Sequence, residues 1–257
     1  MTFSPLITFY KNLEMKVAFV VEGRTEQILV RDYLVRQFDY QDIYIFCIAT
    51  ERDGFDKVKI HGFGDKDATN HFYILNANSD VQVIPKIIQM EDFFNKEGYE
   101  KIIGLRDMFS EEYENESPKR EIKDEVNEKV KKQALADLAL KAQDLDKIEI
   151  CFSIMETETW FLGLYEIFER IDSKLTPQFI LENLKINLEE IDPETTVFHP
   201  YPLVRKIFQL ANKDYRKKKE DIEKITSQLS KQDYETLLAR NKCNSFNTFH
   251  ETIFPQV

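Results

Sequence analysis

The spacing of apolar and polar residues along the chain predicts strands that alternate with helices. An apolar run without polar alternation covers residues 17–21 and is typical of a strand buried on both faces of a sheet. Behind it, Val30, Leu34 and Phe38 recur at helical spacing and predict a helix. Similar apolar runs predict further strands at residues 43–49, 72–75, 101–105 and 147–154. This alternation indicates an α/β fold with a mostly parallel sheet flanked by helices.

The segments between these strands differ in character. Residues 50–71 combine glycines with many charges and are interpreted as a loop or a hairpin around Val58 and Ile60. Residues 81–95 follow a polar turn and are predicted to be helical. The highly charged stretch 109–146 is expected to be an exposed helical insertion that connects two strands.

From residue 172 onward the pattern is helical, with prolines between the helices. The expected helices cover residues 177–184, 203–210, 214–229 and 232–239. The chain is therefore predicted to contain an α/β domain at residues 1–171, which carries the insertion, and a C-terminal helical region at residues 172–257 packed on it.

Composition places the chain among folded proteins that work away from membranes. Its 257 residues are 42% hydrophobic and 12% aromatic, enough for a sizeable core. No apolar stretch approaches the roughly 20 residues that span a bilayer. The three cysteines, Cys47, Cys151 and Cys243, are widely spaced, so reduced thiols and a cytoplasmic location are expected. Residues 1–14 lack a signal-peptide pattern and are interpreted as a leader extension or the product of an alternative start.

The charge balance restricts how the chain can meet nucleic acid. A formal net charge of −11 argues against binding by bulk attraction, because Lys and Arg supply the affinity for phosphates. The balance leaves room for a local basic patch or for a metal bridge to phosphate. Residues 215–219 form the one concentrated basic cluster, which is either a solvated helix face or a phosphate clamp around Lys217.

Acidic residues follow the predicted strands at the edge where α/β sheets place ligands. Glu22 comes directly after the first strand, and Glu26 lies four residues further, where Thr25 is expected to cap the next helix. Asp107 follows the strand at residues 101–105 in the same way. Because the carboxyl ends of parallel strands meet at one edge, these carboxylates are candidates for metal binding or catalysis.

A third acidic position follows the strand at residues 147–154. Thr157 is a candidate cap for the next helix, and Glu158 in its first turn complements the helix dipole. Residues two apart on a helix point about 200° away from each other. Glu156 therefore shares a site with Glu158 only if it belongs to the strand end or turn, which is our interpretation. Trp160 is expected to be a core residue rather than a platform for stacking bases.

These motifs carry a family resemblance. The turn EGRTE at residues 22–26 resembles the glutamate turn of Toprim domains, which occur in topoisomerases, primases and overcoming-lysogenization-defect nucleases. The whole set of motifs resembles a Toprim-like bacterial family of unknown function. Besides the EGRTE turn, this set contains Arg106-Asp107, the METETW run at residues 155–160, His199-Pro200, the basic cluster and the ending CNSFNTF at residues 243–249.

The resemblance implies a Toprim-like sheet and Mg²⁺ or Mn²⁺ chemistry on nucleic-acid phosphates, in a phage-defence setting. The implied catalytic residues are Glu22, Glu26 and Asp107. The implied metal ligands are Glu22, Asp107, Glu156 and Glu158, and the implied phosphate-binding residues are Arg24, Arg106 and Lys217. The chain departs from the Asp-x-Asp motif of larger Toprim proteins, because Phe109 stands two residues after Asp107. One metal carboxylate is therefore missing unless Glu111, Glu156 or Glu158 replaces it.

Two functions follow from these patterns. The first is a divalent-metal-dependent nuclease or a related phosphodiester-processing enzyme, for which the acidic residues at three strand ends argue. The alternative is a non-catalytic Toprim-like binding or regulatory subunit that partners an ATPase or another protein, for which the missing second Asp and the net acidity argue. Metal binding by the wild-type chain and by carboxylate variants distinguishes them.

Overall fold

The computed structural model describes residues 14–49 and 59–255. They form a six-stranded sheet with helices on both faces, followed by a run of C-terminal helices, which confirms the predicted α/β class. The strands are β1 (Lys16–Val21), β2 (Ile43–Ala49), β3 (Lys59–Gly64), β4 (Asn70–Asn76), β5 (Lys101–Asp107) and β6 (Ile148–Ser153).

The sheet is parallel except at one edge. Its strand order is β3-β2-β4-β1-β5-β6, and only β3 runs antiparallel to its neighbour, β2. The antiparallel pairing of β3 with β2 confirms the predicted hairpin. Val58, one of the two residues around which it was predicted, lies outside the described residues. The interpretation of residues 1–14 as a leader likewise concerns residues that are almost all outside the described part of the chain.

Helices connect and follow these strands. They are α1 (Arg24–Gln37), α2 (Asp80–Lys96), α3 (Glu111–Glu116), α4 (Asp124–Ala139), α5 (Glu158–Gly163), α6 (Glu166–Ile171), α7 (Pro177–Leu184), α8 (Pro193–Thr196), α9 (Pro200–Leu210), α10 (Lys219–Thr226), α11 (Lys231–Ala239) and α12 (Asn244–Ile253). Helices α3 and α4 lie between β5 and β6, where the helical insertion was expected. The insertion is not simply exposed as predicted, because Tyr113 of α3 and Val126, Ala134 and Leu138 of α4 are buried in the cluster on one face of the sheet.

The two faces of the sheet bury separate apolar clusters. Along β1, Phe19 and Val21 face one cluster, which is formed with α1 and the C-terminal helices, whereas Ala18 and Val20 face the other, formed with α2 and α4. This alternation is what a strand buried on both faces requires. The C-terminal helices are tied to α1 by polar contacts as well, for example by the Arg36 Nε–H, which donates to the Leu229 carbonyl over 2.7 Å. The boundary between residues 171 and 172 stays a prediction.

The topology creates a crevice beside β1. Strand β1 continues into α1 on one face of the sheet, and its neighbour β5 continues into α3 and α4, of which α4 packs on the opposite face. At such a switch point the loops diverge and leave a space outside the carboxyl ends of the strands, where α/β proteins bind ligands. Glu22 follows β1 and Asp107 ends β5, so both acidic residues border this crevice.

The C-terminal part corrects one predicted helix and adds two helices that were not predicted. The helix expected at residues 214–229 is shorter, because α10 begins only at Lys219. The segment before it is held as a turn by Asp221, whose Oδ2 accepts the Arg216 N–H over 2.8 Å. Lys217 in this turn has a positive φ of 55°, which a helix does not allow. Helices α8 and α12 were not predicted, because each follows a polar stretch with little apolar periodicity.

The predicted caps also differ. Thr25 does not cap α1, because the residue at the N-cap is Gly23 and no side chain makes the capping bond. Thr157 does occupy the N-cap position of α5, but its hydroxyl contacts the acidic residues instead of the helix. Trp160 is fully buried, which confirms its expected place in the core. Within the described part of the chain, no helix is long and apolar enough to cross a bilayer.

Candidate metal centre

Two glutamates stand on the turn between β1 and α1. The Glu22 N–H extends the strand pairing by donating to the Leu105 carbonyl over 3.1 Å, so its side chain emerges at the sheet edge. Glu26, in the first turn of α1, folds back over Gly23. A Cβ atom at position 23 would lie 3.0 Å from Glu26 Oε2, tighter than ordinary contacts allow. Glycine at this position therefore lets the second carboxylate lie against the turn.

Asp107 is the most heavily bonded of these acids. Its Oδ1 accepts the Ser153 hydroxyl at 2.6 Å, the Thr157 N–H at 2.9 Å and the Thr157 hydroxyl at 2.9 Å. Its own N–H donates to Glu22 Oε2 over 2.9 Å, which ties the ends of β1 and β5 together. The carboxylate is buried and held in one orientation by groups from β6 and the turn that follows it.

Thr157 links this carboxylate to Glu26. Its hydroxyl oxygen lies 2.9 Å from Asp107 Oδ1 and 2.8 Å from Glu26 Oε1. A hydroxyl has one proton to donate, so it serves one of these oxygens at a time. When the Thr157 hydroxyl donates to Asp107, its oxygen can accept a hydrogen bond from a protonated Glu26 carboxyl group. The geometry thus suits a protonated Glu26.

Glu156 lies in the turn after β6, which confirms the position predicted for it. The preceding residue, Met155, has a φ of 64° and turns the chain toward the cluster. Glu156 Oε2 accepts the Tyr201 N–H over 2.8 Å at the start of α9, and His199 Nε2 lies 3.6 Å from the same oxygen. Because Glu156 precedes the helix, its carboxylate and that of Glu158 can face one point.

Glu158 is fully buried in the first turn of α5. Its Oε1 accepts the Tyr215 hydroxyl over 2.8 Å, and its Oε2 lies 2.9 Å from Lys217 Nζ, an ion pair rather than a well-formed hydrogen bond. Lys217 Nζ also lies 3.1 Å from Glu156 Oε1. Asp107, Glu156 and Glu158 each offer an oxygen within 4.8 Å of the others. We refer to these three as the acidic triad, and to the triad with Glu22 and Glu26 as the acidic cluster.

Burial and mutual repulsion change the titration of the two turn glutamates. The pKa of Glu22 is raised to about 9, first by loss of solvent and then by the charges of Asp107 and Glu26. The pKa of Glu26 is raised to about 8 by burial and by Asp107, although Lys217 opposes the shift. Both side chains therefore hold protons at neutral pH while the cluster lacks a further cation.

The triad responds to the same forces. Burial raises the pKa of Asp107 and of Glu158, and the ammonium of Lys217 is the strongest influence in the opposite direction on each. Burial lowers the pKa of Lys217, but the surrounding carboxylates outweigh it, so the net shift is upward and the ammonium stays charged. A single positive charge thus balances several negative ones.

The structure separates the predicted phosphate-binding residues. Arg24 is exposed at the start of α1. The guanidinium of Arg106 lies 5.7 Å from the Phe152 ring centroid and 3.9 Å from Asp80, on the α2 face of the sheet, whereas Asp107 is bonded on the opposite side. Lys217 faces the acidic cluster. The phosphate-binding roles of all three residues stay predictions.

Several contributors to the site were not predicted. Ser153 and Thr157 orient Asp107, and their only signal in the sequence is that small hydroxyl residues occur at the end of a buried strand and just after it. Phe109, two residues after Asp107, stacks on His199 with ring centroids 4.3 Å apart. His199 in turn borders Glu156, so an aromatic pair lines this side of the cluster. Glu111, the other candidate replacement, is exposed and lies outside the acidic triad.

The donor set suits a divalent cation. Mg²⁺ and Mn²⁺ favour carboxylate oxygens, and here the triad supplies them from two chain segments joined at the crevice. Glu158 Oε2 is buried and pairs with Lys217 Nζ over 2.9 Å, so this oxygen already lies where a cation is held. Comparisons with family models, curated proteins and solved structures gave no match to this chain.

Proposed function

We propose that this protein is a divalent-cation-dependent enzyme that processes phosphodiesters, of the Toprim type. The observation that carries the proposal is the buried acidic triad at a topological switch point. Carboxylates there have little to do for the fold, because burying them near one another costs stability.

The residues of the chain would divide the work as follows. Asp107, Glu156 and Glu158 would hold the ion, and the hydroxyl groups of Ser153 and Thr157 keep Asp107 in place. A divalent ion supplies Lewis-acid chemistry, which stabilises the negative charge that grows on a phosphate oxygen.

Glu22 and Glu26 add acid–base capacity beside that ion. With pKa values raised to about 9 and about 8, they retain protons that a departing oxygen needs. Any cation bound nearby lowers these values, so each residue can also serve as a base once the site is loaded. A nucleic-acid strand is our proposed substrate class.

A cleavage assay with labelled single- and double-stranded DNA and RNA, in Mg²⁺ or Mn²⁺, tests the proposal. We expect metal-dependent cleavage by the wild type and its loss in Asp107→Asn and Glu22→Gln. Glu194→Gln is the matched control, because it alters a buried glutamate that hydrogen-bonds Ser245, away from the cluster. Cleavage that survives Asp107→Asn would refute the assignment.

The alternative of a non-catalytic Toprim-like subunit, partner to an ATPase or another protein, is favoured by two observations. Phe109 stands where a further carboxylate is expected, and Lys217 already pairs with two members of the triad. Such a subunit would bind metal without cleaving any of the four substrates. Calorimetric metal binding without cleavage would therefore favour it over the enzyme.

A further inference from the structure

Lys217 is placed as an internal cation. It belongs to the turn between α9 and α10, and its Nζ lies 3.1 Å from Glu156 Oε1 and 2.9 Å from Glu158 Oε2. It thus contacts two of the three residues whose oxygens define the acidic triad. An ammonium and a divalent ion both require these carboxylates, so they compete for the same position.

The charge balance of the cluster makes this competition strong. Asp107, Glu156 and Glu158 lie close together, and within the described chain Lys217 is the one lysine or arginine that forms ion pairs with this triad. Of the other basic side chains nearby, Arg106 pairs with Asp80, and His199 approaches only Glu156. Moving Lys217 away without another cation would leave Glu158 buried and uncompensated, which is costly.

The Lys217 side chain is nevertheless partly exposed to solvent. It is 30% exposed, whereas the side chain of Glu158 is fully buried. Its Nζ lies 5.1 Å from the centroid of the half-buried Tyr201 ring. The side chain can leave the cluster by rotating about its own bonds, which breaks its ion pairs but no backbone hydrogen bond.

We propose that Lys217 is a displaceable internal cation: a divalent ion that enters the acidic triad expels its ammonium toward solvent. The inference rests on the proposed metal site and deepens it. In the absence of metal the lysine keeps the carboxylates compatible with the fold. Once displaced, its positive charge becomes available at the mouth of the crevice, where an anionic substrate approaches.

Calorimetric titration with MnCl₂ tests this exchange. Lys217→Met keeps a long side chain but removes the charge, and we expect it to bind Mn²⁺ about tenfold or more tightly than the wild type, because the competing charge is gone. Lys217→Arg keeps the charge and should not show this gain. Lys218→Met is the matched control, since Lys218 is exposed in the same turn.

Thermal unfolding provides a second readout. Without metal, Lys217→Met should melt at a lower temperature than the wild type, and saturating Mn²⁺ should raise its melting temperature more than that of the wild type. A purely structural ion pair would give the first effect without the second. If Lys217→Met does not fold, Lys217→Gln allows the same comparison.

The outcomes separate the two proposals. Equal Mn²⁺ affinity in Lys217→Met and Lys218→Met would overturn the exchange while leaving the metal site intact. Binding to neither the wild type nor Lys217→Met would overturn the proposed function, and the exchange with it.

Discussion

Two regions of this molecule bury glutamates, and they differ in how the carboxylate oxygens obtain hydrogen-bond donors. Glu194 in α8 accepts the Ser245 N–H at 3.0 Å and also the Ser245 hydroxyl, which itself accepts the Trp160 Nε1–H at 2.8 Å. This carboxylate holds the start of α12 in place. In the acidic cluster, by contrast, five carboxylates share a few hydroxyl and N–H donors and one ammonium.

The difference separates a structural carboxylate from a functional one. Glu91 behaves like Glu194, because it is buried and accepts the N–H groups of Gln143 and Asp144, which fixes the chain after α4. Burial alone therefore does not mark a site. A functional site is marked by an excess of hydrogen-bond acceptors over donors. Such an excess costs stability and has to be offset by something the chain binds.

The largest expected effect comes from removing one member of the triad. Asp107→Asn should weaken Mn²⁺ binding more than about 100-fold, because even the loss of a residue that only supports a ligand costs 10–100-fold. Glu194→Gln should leave Mn²⁺ affinity unchanged and lower the free energy of unfolding by about 1–3 kcal/mol, because a buried donor loses its acceptor. Calorimetry and denaturant unfolding measure the two quantities. If the two variants bind Mn²⁺ with similar affinity, the distinction between a structural glutamate in α8 and a functional acidic cluster is wrong.

A smaller effect is expected from the residue that orients Asp107. Thr157→Val keeps the shape of the side chain but removes the hydroxyl that lies between Asp107 and Glu26. We expect a loss of Mn²⁺ affinity of about 10-fold, at the lower end of such supporting contacts. Thr157→Ser retains the hydroxyl and should bind nearly as the wild type does. If the serine variant loses as much as the valine variant, packing rather than orientation explains the effect.

The smallest effect concerns pH. The pKa of Glu22 is raised to about 9 and that of Glu26 to about 8, so the folded state holds protons that the unfolded chain releases. Without metal, this stabilisation is present at acid pH and is lost as pH rises through these values, by at most about 1.4 kcal/mol per pH unit and proton. Glu22→Gln, which cannot titrate, should flatten the decline up to about pH 9 in denaturant unfolding, including the part above about pH 7.

Glu194 supplies the matched control for this dependence of the free energy of unfolding on pH. Burial raises its pKa to about 7 despite the hydrogen bonds from Ser245. Its contribution is therefore lost at lower pH, and Glu194→Gln should flatten the curve only below about pH 7. A curve above that pH that is the same in Glu22→Gln as in the wild type would contradict the raised pKa of Glu22.

How far the sequence predicts this molecule depends on the range of the interactions. The strands around Phe19 and Ile103, and the carboxylates that follow them, were predicted because apolar runs and strand ends are local patterns. Helix geometry set the condition that Glu156 and Glu158 meet only if Glu156 lies in the strand end or turn, and the interpretation that it does is confirmed. Local patterns failed at Lys217, where a run of basic residues predicted a helix but a turn stabilised by Asp221 directs the side chain into the cluster.

Other misses have the same cause. Thr157 has the sequence of a helix cap, but its hydroxyl meets Glu26 and Asp107, which come from other parts of the chain. The contact of Phe109 with His199 likewise joins segments far apart in sequence. Hydrogen bonds and stacking between such segments leave no periodic signal, so they become visible only in the folded structure.

The position of Lys217 also bears on how the chain is made. During synthesis, β1, β5 and β6 leave the ribosome before the turn that carries this lysine, so all five carboxylates are present before the ammonium that balances them. The crevice therefore cannot reach its final electrostatic state until translation has passed α9. A chain cut between residues 171 and 172 would place the acids on one fragment and their counter-charge on the other. Reassociation of two such fragments should depend on that attraction, and hence on the salt concentration.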